Sequence, residues 1–218
     1  MIEILYPLAI ENFNGYFSQR LNHSTVYNNG KEDQLITSVV DGSEQRSGVP
    51  HSVDQQNSFY SGKKKYSSIT KLVYACPSTG KIMHMGESHP GSKNDMGLFQ
   101  SDQVFLAKFN KDFEYIMGDK GFRFLENYYP KITTLQKGEK TEEKERIDKE
   151  LKSIRIIIEN VFAKIKGFWI CSNTTRWKFQ SCGNESSSPL DLLTKLHQIW
   201  CIIGFLINSR SSIRNCDE

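Results

Sequence analysis

From Glu142 the chain runs to Gly167 without a glycine or a proline, and Ile147, Leu151, Ile154, Ile158, Phe162 and Ile165 recur along it at helical spacing. A helix with such a stripe must lay it against an apolar partner. The sequence ahead of it predicts a sheet. Between about residues 35 and 126 the apolar residues fall in short runs, "LITSVVDG", "SITKLVYACP", "KIMHMGES" and "FEYIMGD". Their β-rich content and bounding turn residues predict strands, the second and third joined as a hairpin through Ser-Thr-Gly. The first strand is expected to end on Asp41, with Gly42 turning the chain. A helix is expected to open near "GSKNDMGLFQ", with Ser92 as its N-cap. A last helix, "SPLDLLTKLHQIWCIIGFLINS", is apolar nearly all round in its second half, the mark of a core helix.

Outside these zones the chain says less. Residues 1–33 are polar and rich in Asn and Gly after a short apolar start, and no helix-turn-helix pattern is visible, so they read as a tail or remnant. Residues 34–209 read as one domain and 210–218 as a C-terminal tail. The run "KGEKTEEKERIDKELK" reads as a solvated helix face, "CSNTTRWKFQSCGNESSS" as an exposed loop, and Trp169, Trp177 and Trp200 as core or core-edge residues.

Composition closes off some classes of function. At 38% hydrophobic and 24% charged the chain is ordinary for a globular protein. Its longest uninterrupted apolar run, residues 199–207, is too short to span a bilayer, so no membrane partner is expected. The N-terminus lacks the pattern of a secretory signal, which predicts cytosol or nucleus. The five cysteines are scattered without a CxxC pair and read as reduced thiols. No histidine spacing suits zinc. The net charge of +3 says little, but Lys63, Lys64 and Lys65 form a basic run that could neutralise phosphates without reading sequence.

Three acids draw the strands and the long helix together. Asp41 and Asp119 each follow an apolar strand, and Glu159 sits beside the stripe of the helix. Singly, an aspartate after a strand is a turn former or cap, and a helical glutamate near Arg155 and Lys166 is an ion-pair partner. Jointly, three carboxylates that would repel one another suit a hard divalent cation such as Mg²⁺ or Mn²⁺.

The blocks "VVDGSE", "FYSGKKKYSSITKLVYACPSTGKIMHMGESHPGSKND", "IMGDKGF" and "RIIIENVFAKIK" resemble, in this order, the DDE superfamily endonuclease domain of Harbinger-type transposases, relatives of the bacterial IS5 group. The resemblance runs from about Leu35 to Asn208. It implies an RNase H-like α/β fold, with a mixed five-stranded sheet and helices on both faces, and metal-dependent DNA cleavage and strand transfer. Carried over, the family's two aspartates and glutamate fall on Asp41, Asp119 and Glu159, with two Mg²⁺ or Mn²⁺ ions. Asp95 matches a further aspartate, either an additional ligand or the first-turn acid of a helix. Arg155 and Lys166 match an arginine and a lysine that could hold DNA phosphates beside the metal, and Glu44 is left as a turn or supporting acid. The resemblance further implies DNA as substrate, a Myb-like DNA-binding partner, a homo-oligomer and a nuclear location. A domesticated, non-catalytic interaction protein is the alternative. Where bacterial relatives carry a tyrosine before that arginine, this chain has Lys152.

Overall fold

The structure, a computed structural model, describes residues 1–28, 32–50, 52–119, 121–122, 132–134, 141–175 and 189–210. Its spine is strand β2 (Asp33–Arg46). The first half of β2 pairs antiparallel with β1 (Thr25–Asn28) and parallel with β7 (Glu114–Met117). Its second half pairs antiparallel with β4 (Tyr66–Ala75). Beyond β7 lies β8 (Ile132–Thr133), again parallel. The far side of β4 carries β5 (Ile82–Met85) and β6 (His89–Pro90), and its start pairs with β3 (Tyr60–Ser61). The sheet is therefore open and mixed. It has eight strands rather than the expected five, the surplus being the short β1, β3 and β6. The β4–β5 hairpin forms where Ser-Thr-Gly predicts it, with Gly80 in the left-handed region at φ 68°.

The alternation of strand side chains builds a layer on each face of the sheet. Val39, Val73 and Ala75 share one cluster with Leu151, Ile154, Ile158 and Ile165 of α5 (Glu142–Lys166) and with Leu196, Trp200 and Ile203 of α7 (Pro189–Ser209). Val40, Leu72 and Tyr74 join the other, with Leu98 and Phe99 of α3 (Asp95–Ser101) and Phe105 and Leu106 of α4 (Gln103–Leu106). The stripe expected on α5 is thus its buried side, widened by Ile157 and Val161. Ile147 falls outside the residues whose side chains are described. Trp200 is fully buried and donates from Nε1 to Gln45 Oε1 at 2.9 Å, while Gln45 Nε2 donates to Ile170 O and Asn173 O of the segment holding α6 (Trp169–Ser172). One hydrogen-bonded side chain near the end of β2 therefore joins both elements that follow α5.

Several expectations give way. Residues 1–28 are not a loose tail. They carry α1 (Ile2–Ser18), whose Ala9 and Phe13 enter the core against α7, and β1, the partner of β2. Arg20, in the 3₁₀ turn after α1, meets Glu114 of β7 through two short bonds, Nε to Oε2 at 2.7 Å and Nη2 to Oε1 at 2.6 Å, with Glu114 wholly buried. Ser92 does not cap α3; Asn94 does, its Oδ1 accepting from Gly97 N at 2.8 Å. Trp169 is 74% exposed, and Trp177 lies outside the described residues. By length and hydropathy alone, Leu190–Ser209 could cross a membrane. Asp191 and Lys195 are its only carboxylate or ammonium side chains, and in the fold it lies against α1, α5 and β5. Cys76, Cys171 and Cys201 are buried and free; Cys182 and Cys216 lie outside the described residues. The exposed loop expected between the last two helices falls mostly there too.

Candidate functional site

β2 and β7 run parallel, and their last paired residues are Val39 and Met117. Two residues further on, each chain presents an acid. Side chains two apart on a strand leave the same face, so Asp41 and Asp119 stand side by side at the end of this pairing. β7 stops there, and Gly118 N donates to Thr133 O of β8 at 3.0 Å. β2 does not stop. It continues through Asp41 to Arg46 along β4, so neither Asp41 nor Glu44 occupies a turn.

Gly42 consequently has a different task from the one the sequence implies. A Cβ built on it would overlap Oδ1 of Asp95. Asp95 is the first residue of α3, and the bare backbone at position 42 lets its carboxylate lie flat on β2. A glycine inside a strand often marks such a close approach, and this was the signal available in the sequence.

Burial raises the carboxyl pKa of Asp41 above its ordinary value. The Gly42 N–H, donating to Oδ1 at 2.8 Å, and the Arg155 guanidinium oppose this, while Asp119 and Asp95 add to it. Asp95 is raised too, first by burial and then by Glu44 and Asp119, against the pull of Lys63. Arg155, on α5, donates from Nη1 to Asp119 Oδ1 at 3.0 Å, and its Nε lies 3.6 Å from Oε1 of Glu159 one turn later. A single guanidinium thus links the second strand acid to the helical acid. Glu159 is the most open of the group, its side chain 57% exposed.

The basic residues divide. Lys63 acts on Asp95, and Lys166 lies near Lys64, Asp41 and Glu44; partial burial, then Lys64, lowers its pKa. Lys65 lines a separate concavity with Arg46 and Tyr66. Glu44 accepts from Ser68 Oγ at 3.0 Å and contributes negative field at Asp95. Of the residues singled out in the sequence, the fold gathers Asp41, Asp95, Asp119, Glu159, Arg155, Lys166, Lys63 and Lys64 around one end of the sheet. Lys65 is turned elsewhere.

Residues 40–208 match the family of DDE superfamily endonucleases. The chain belongs to that family. The matched stretch begins one residue before Asp41 and holds every acid of the site. The chain is also 26% identical over 136 residues to the "Probable transposase for insertion sequence element IS702" of Microchaete diplosiphon, an alignment covering 61% of this chain and 48% of that protein. It spans about half the length of the curated relative it matches. No solved structure matches it.

DDE endonucleases generally use divalent metal ions. Among the described residues, no three His, Cys, Asp or Glu side chains converge as they stand into a set that could enclose one. The donor chemistry nonetheless fits: the hard carboxylate oxygens of Asp41, Asp95 and Asp119, with Asp119 raising the proton affinity of the other two, form a site whose charge a divalent cation would balance. Arg155 supplies part of that balance now.

Proposed function

We propose that this chain is the catalytic domain of a Harbinger-type transposase, with an RNase H-like fold, that cuts and joins DNA through Asp41, Asp119 and Glu159. The observation carrying the proposal is the parallel register of β2 and β7, which sets Asp41 beside Asp119 within the stretch matched to the endonuclease family. These three acids would hold Mg²⁺ or Mn²⁺, two ions per site, with Asp95 beside them as a further ligand or a supporting acid. Bound there, the ions supply Lewis-acid polarisation of the phosphodiester and favour a hydroxide or DNA 3′-hydroxyl nucleophile. The chain's own groups do the rest. Lys63, Lys64 and Lys166 draw the backbone to the acids and offset its charge. Arg155 orients Asp119 and Glu159 and restrains both in one geometry. The half-buried Asp41 is held by the Gly42 N–H.

DNA is the substrate in this reading. A Myb-like protein supplies recognition of the element's ends, two or more copies of the chain act together, and the location is nuclear. In the alternative, a non-catalytic interaction protein, Arg155 would be the permanent counter-ion of the acids. The test is calorimetric titration with Mg²⁺ and Mn²⁺, wild type beside Asp119→Asn, followed by nicking of supercoiled duplex DNA in the same samples. Binding and nicking present in the wild type and lost in the variant support the nuclease. A folded wild type with no metal response overturns it in favour of the alternative.

A further inference from the structure

Beyond the acids, β2 leads into a second concavity of about 420 Å³, where Arg46 meets the β3–β4 hairpin and the end of α2 (Val53–Phe59). Arg46, Lys65, Tyr60, Tyr66, Gln56 and Asn57 line it, and no acidic residue does so among the described residues. Arg46 lies over the Tyr66 ring, 5.2 Å from its centroid, and the ion pairs among the described residues involve other cations. Its charge is positioned yet meets no carboxylate among the described residues. Lys65 holds a left-handed backbone at φ 63°, unusual for a residue with a side chain, and its N–H is fixed to Ser61 O at 2.8 Å. The same hairpin tip therefore directs Lys63 towards the acids and Lys65 into the groove. Tyr60 is 46% exposed at the rim.

Two cations lining one groove, a half-exposed tyrosine and nearby amides suit a phosphate joined to a planar base. The volume suits one nucleotide. Arg46 stands five residues beyond Asp41 on one extended strand, about 17 Å away along it at about 3.3 Å per residue, and leaves the opposite face, the one on which Asp95 meets Gly42. At about 3.4 Å per base step, that places the groove about five steps from the scissile phosphate. We propose that this groove is a subsite for one unpaired nucleotide of the DNA substrate, its phosphate held by Arg46 and Lys65 and its base stacked on Tyr60. The distance rests on the nuclease reading above; the groove chemistry does not.

The probe is a fluorescent duplex carrying one unpaired nucleotide about five base steps from a nick, compared with the fully paired nicked duplex. Binding is read by anisotropy with EDTA present, so that cleavage plays no part. The wild type is expected to bind the unpaired form at least about fivefold more tightly. Tyr60→Ala and the pair Arg46→Ala/Lys65→Ala should abolish that preference with unchanged thermal midpoints, and Tyr60→Phe should keep it. No preference in the wild type, or one that survives Tyr60→Ala, overturns the subsite. Nicking of the paired duplex in Mg²⁺ is scored alongside. Preference without nicking upholds the groove and removes the nuclease reading, whereas nicking without preference does the reverse.

Discussion

The Asp95 carboxylate occupies the space that any side chain at Gly42 would need. Strand and helix are thus fitted to each other where an acid of α3 reaches the acid of β2 and the one that follows β7. Gly42→Ala should force Asp95 out, lowering stability by about 1–3 kcal/mol, as overpacking usually does. Nicking should fall with it. Gly42→Ala/Asp95→Gly should regain the stability in a denaturant melt while nicking stays low; a Gly42→Ala protein as stable and active as the wild type would show that this fit is unimportant.

Burial raises the carboxyl pKa of Asp41 and of Asp95 above its ordinary value. A carboxyl raised in the folded state stabilises the fold while protonated, and that contribution is lost as pH rises through the folded pKa. At neutral pH both acids are therefore held at a cost. Asp41→Asn should raise the thermal midpoint by roughly a few degrees at pH 7 and much less at pH 4, while nicking is lost. Mg²⁺ should raise the midpoint of the wild type but not of the variant. Differential scanning calorimetry at the two pH values checks both.

Lys71 is buried in β4, with Nζ 4.7 Å from the Trp200 ring centroid and no hydrogen-bond partner among the described residues. Burial lowers its pKa from 10.5 to about 7, against smaller opposing effects of Cys201 and Cys171. Between those values the unfolded chain holds the extra proton. Stability should therefore decline as pH falls from 10.5 to about 7 and level off below. Lys71→Met should remove that slope from the difference between the two proteins and stabilise the fold at pH 7 by on the order of a few kcal/mol. Parallel slopes for the two proteins would contradict a neutral, buried lysine.

Glu114 is wholly buried and bound by Arg20. Glu114→Ala leaves the arginine without its partner and should cost about 3–5 kcal/mol in urea unfolding. Arg20→Leu/Glu114→Leu should recover most of the loss. Removing residues 1–28 should be worse still, because it takes away α1, β1 and Arg20 together.

The sequence disclosed the parts whose information is local. The stripe of α5, the β4–β5 hairpin and the apolar strands before Asp41 and Asp119 follow from spacing and composition. What it hid depends on partners distant along the chain. α1 has apolar residues at Ala9, Phe13 and Phe17 whose meaning appears only when α7 and the sheet are beside it. Gly42 resembles a turn residue because the space it leaves is filled by a side chain more than fifty positions later. Asn94 and Ser92 are both reasonable caps, and only the course of the backbone chooses between them. For the site, residue type pointed to the acids, whereas the pairing of Arg155 with Asp119 and the departure of Lys65 into another groove required the fold.

Strand register carries a last consequence. Were β7 to pair one residue out of step with β2, the sheet could keep its backbone bonds, yet Asp119 would emerge on the opposite face from Asp41. The two acids therefore act as a vernier on the assembled chain. A misaligned copy would be compact and chemically mute, and enzymatic turnover would count only the molecules whose strands had slid home.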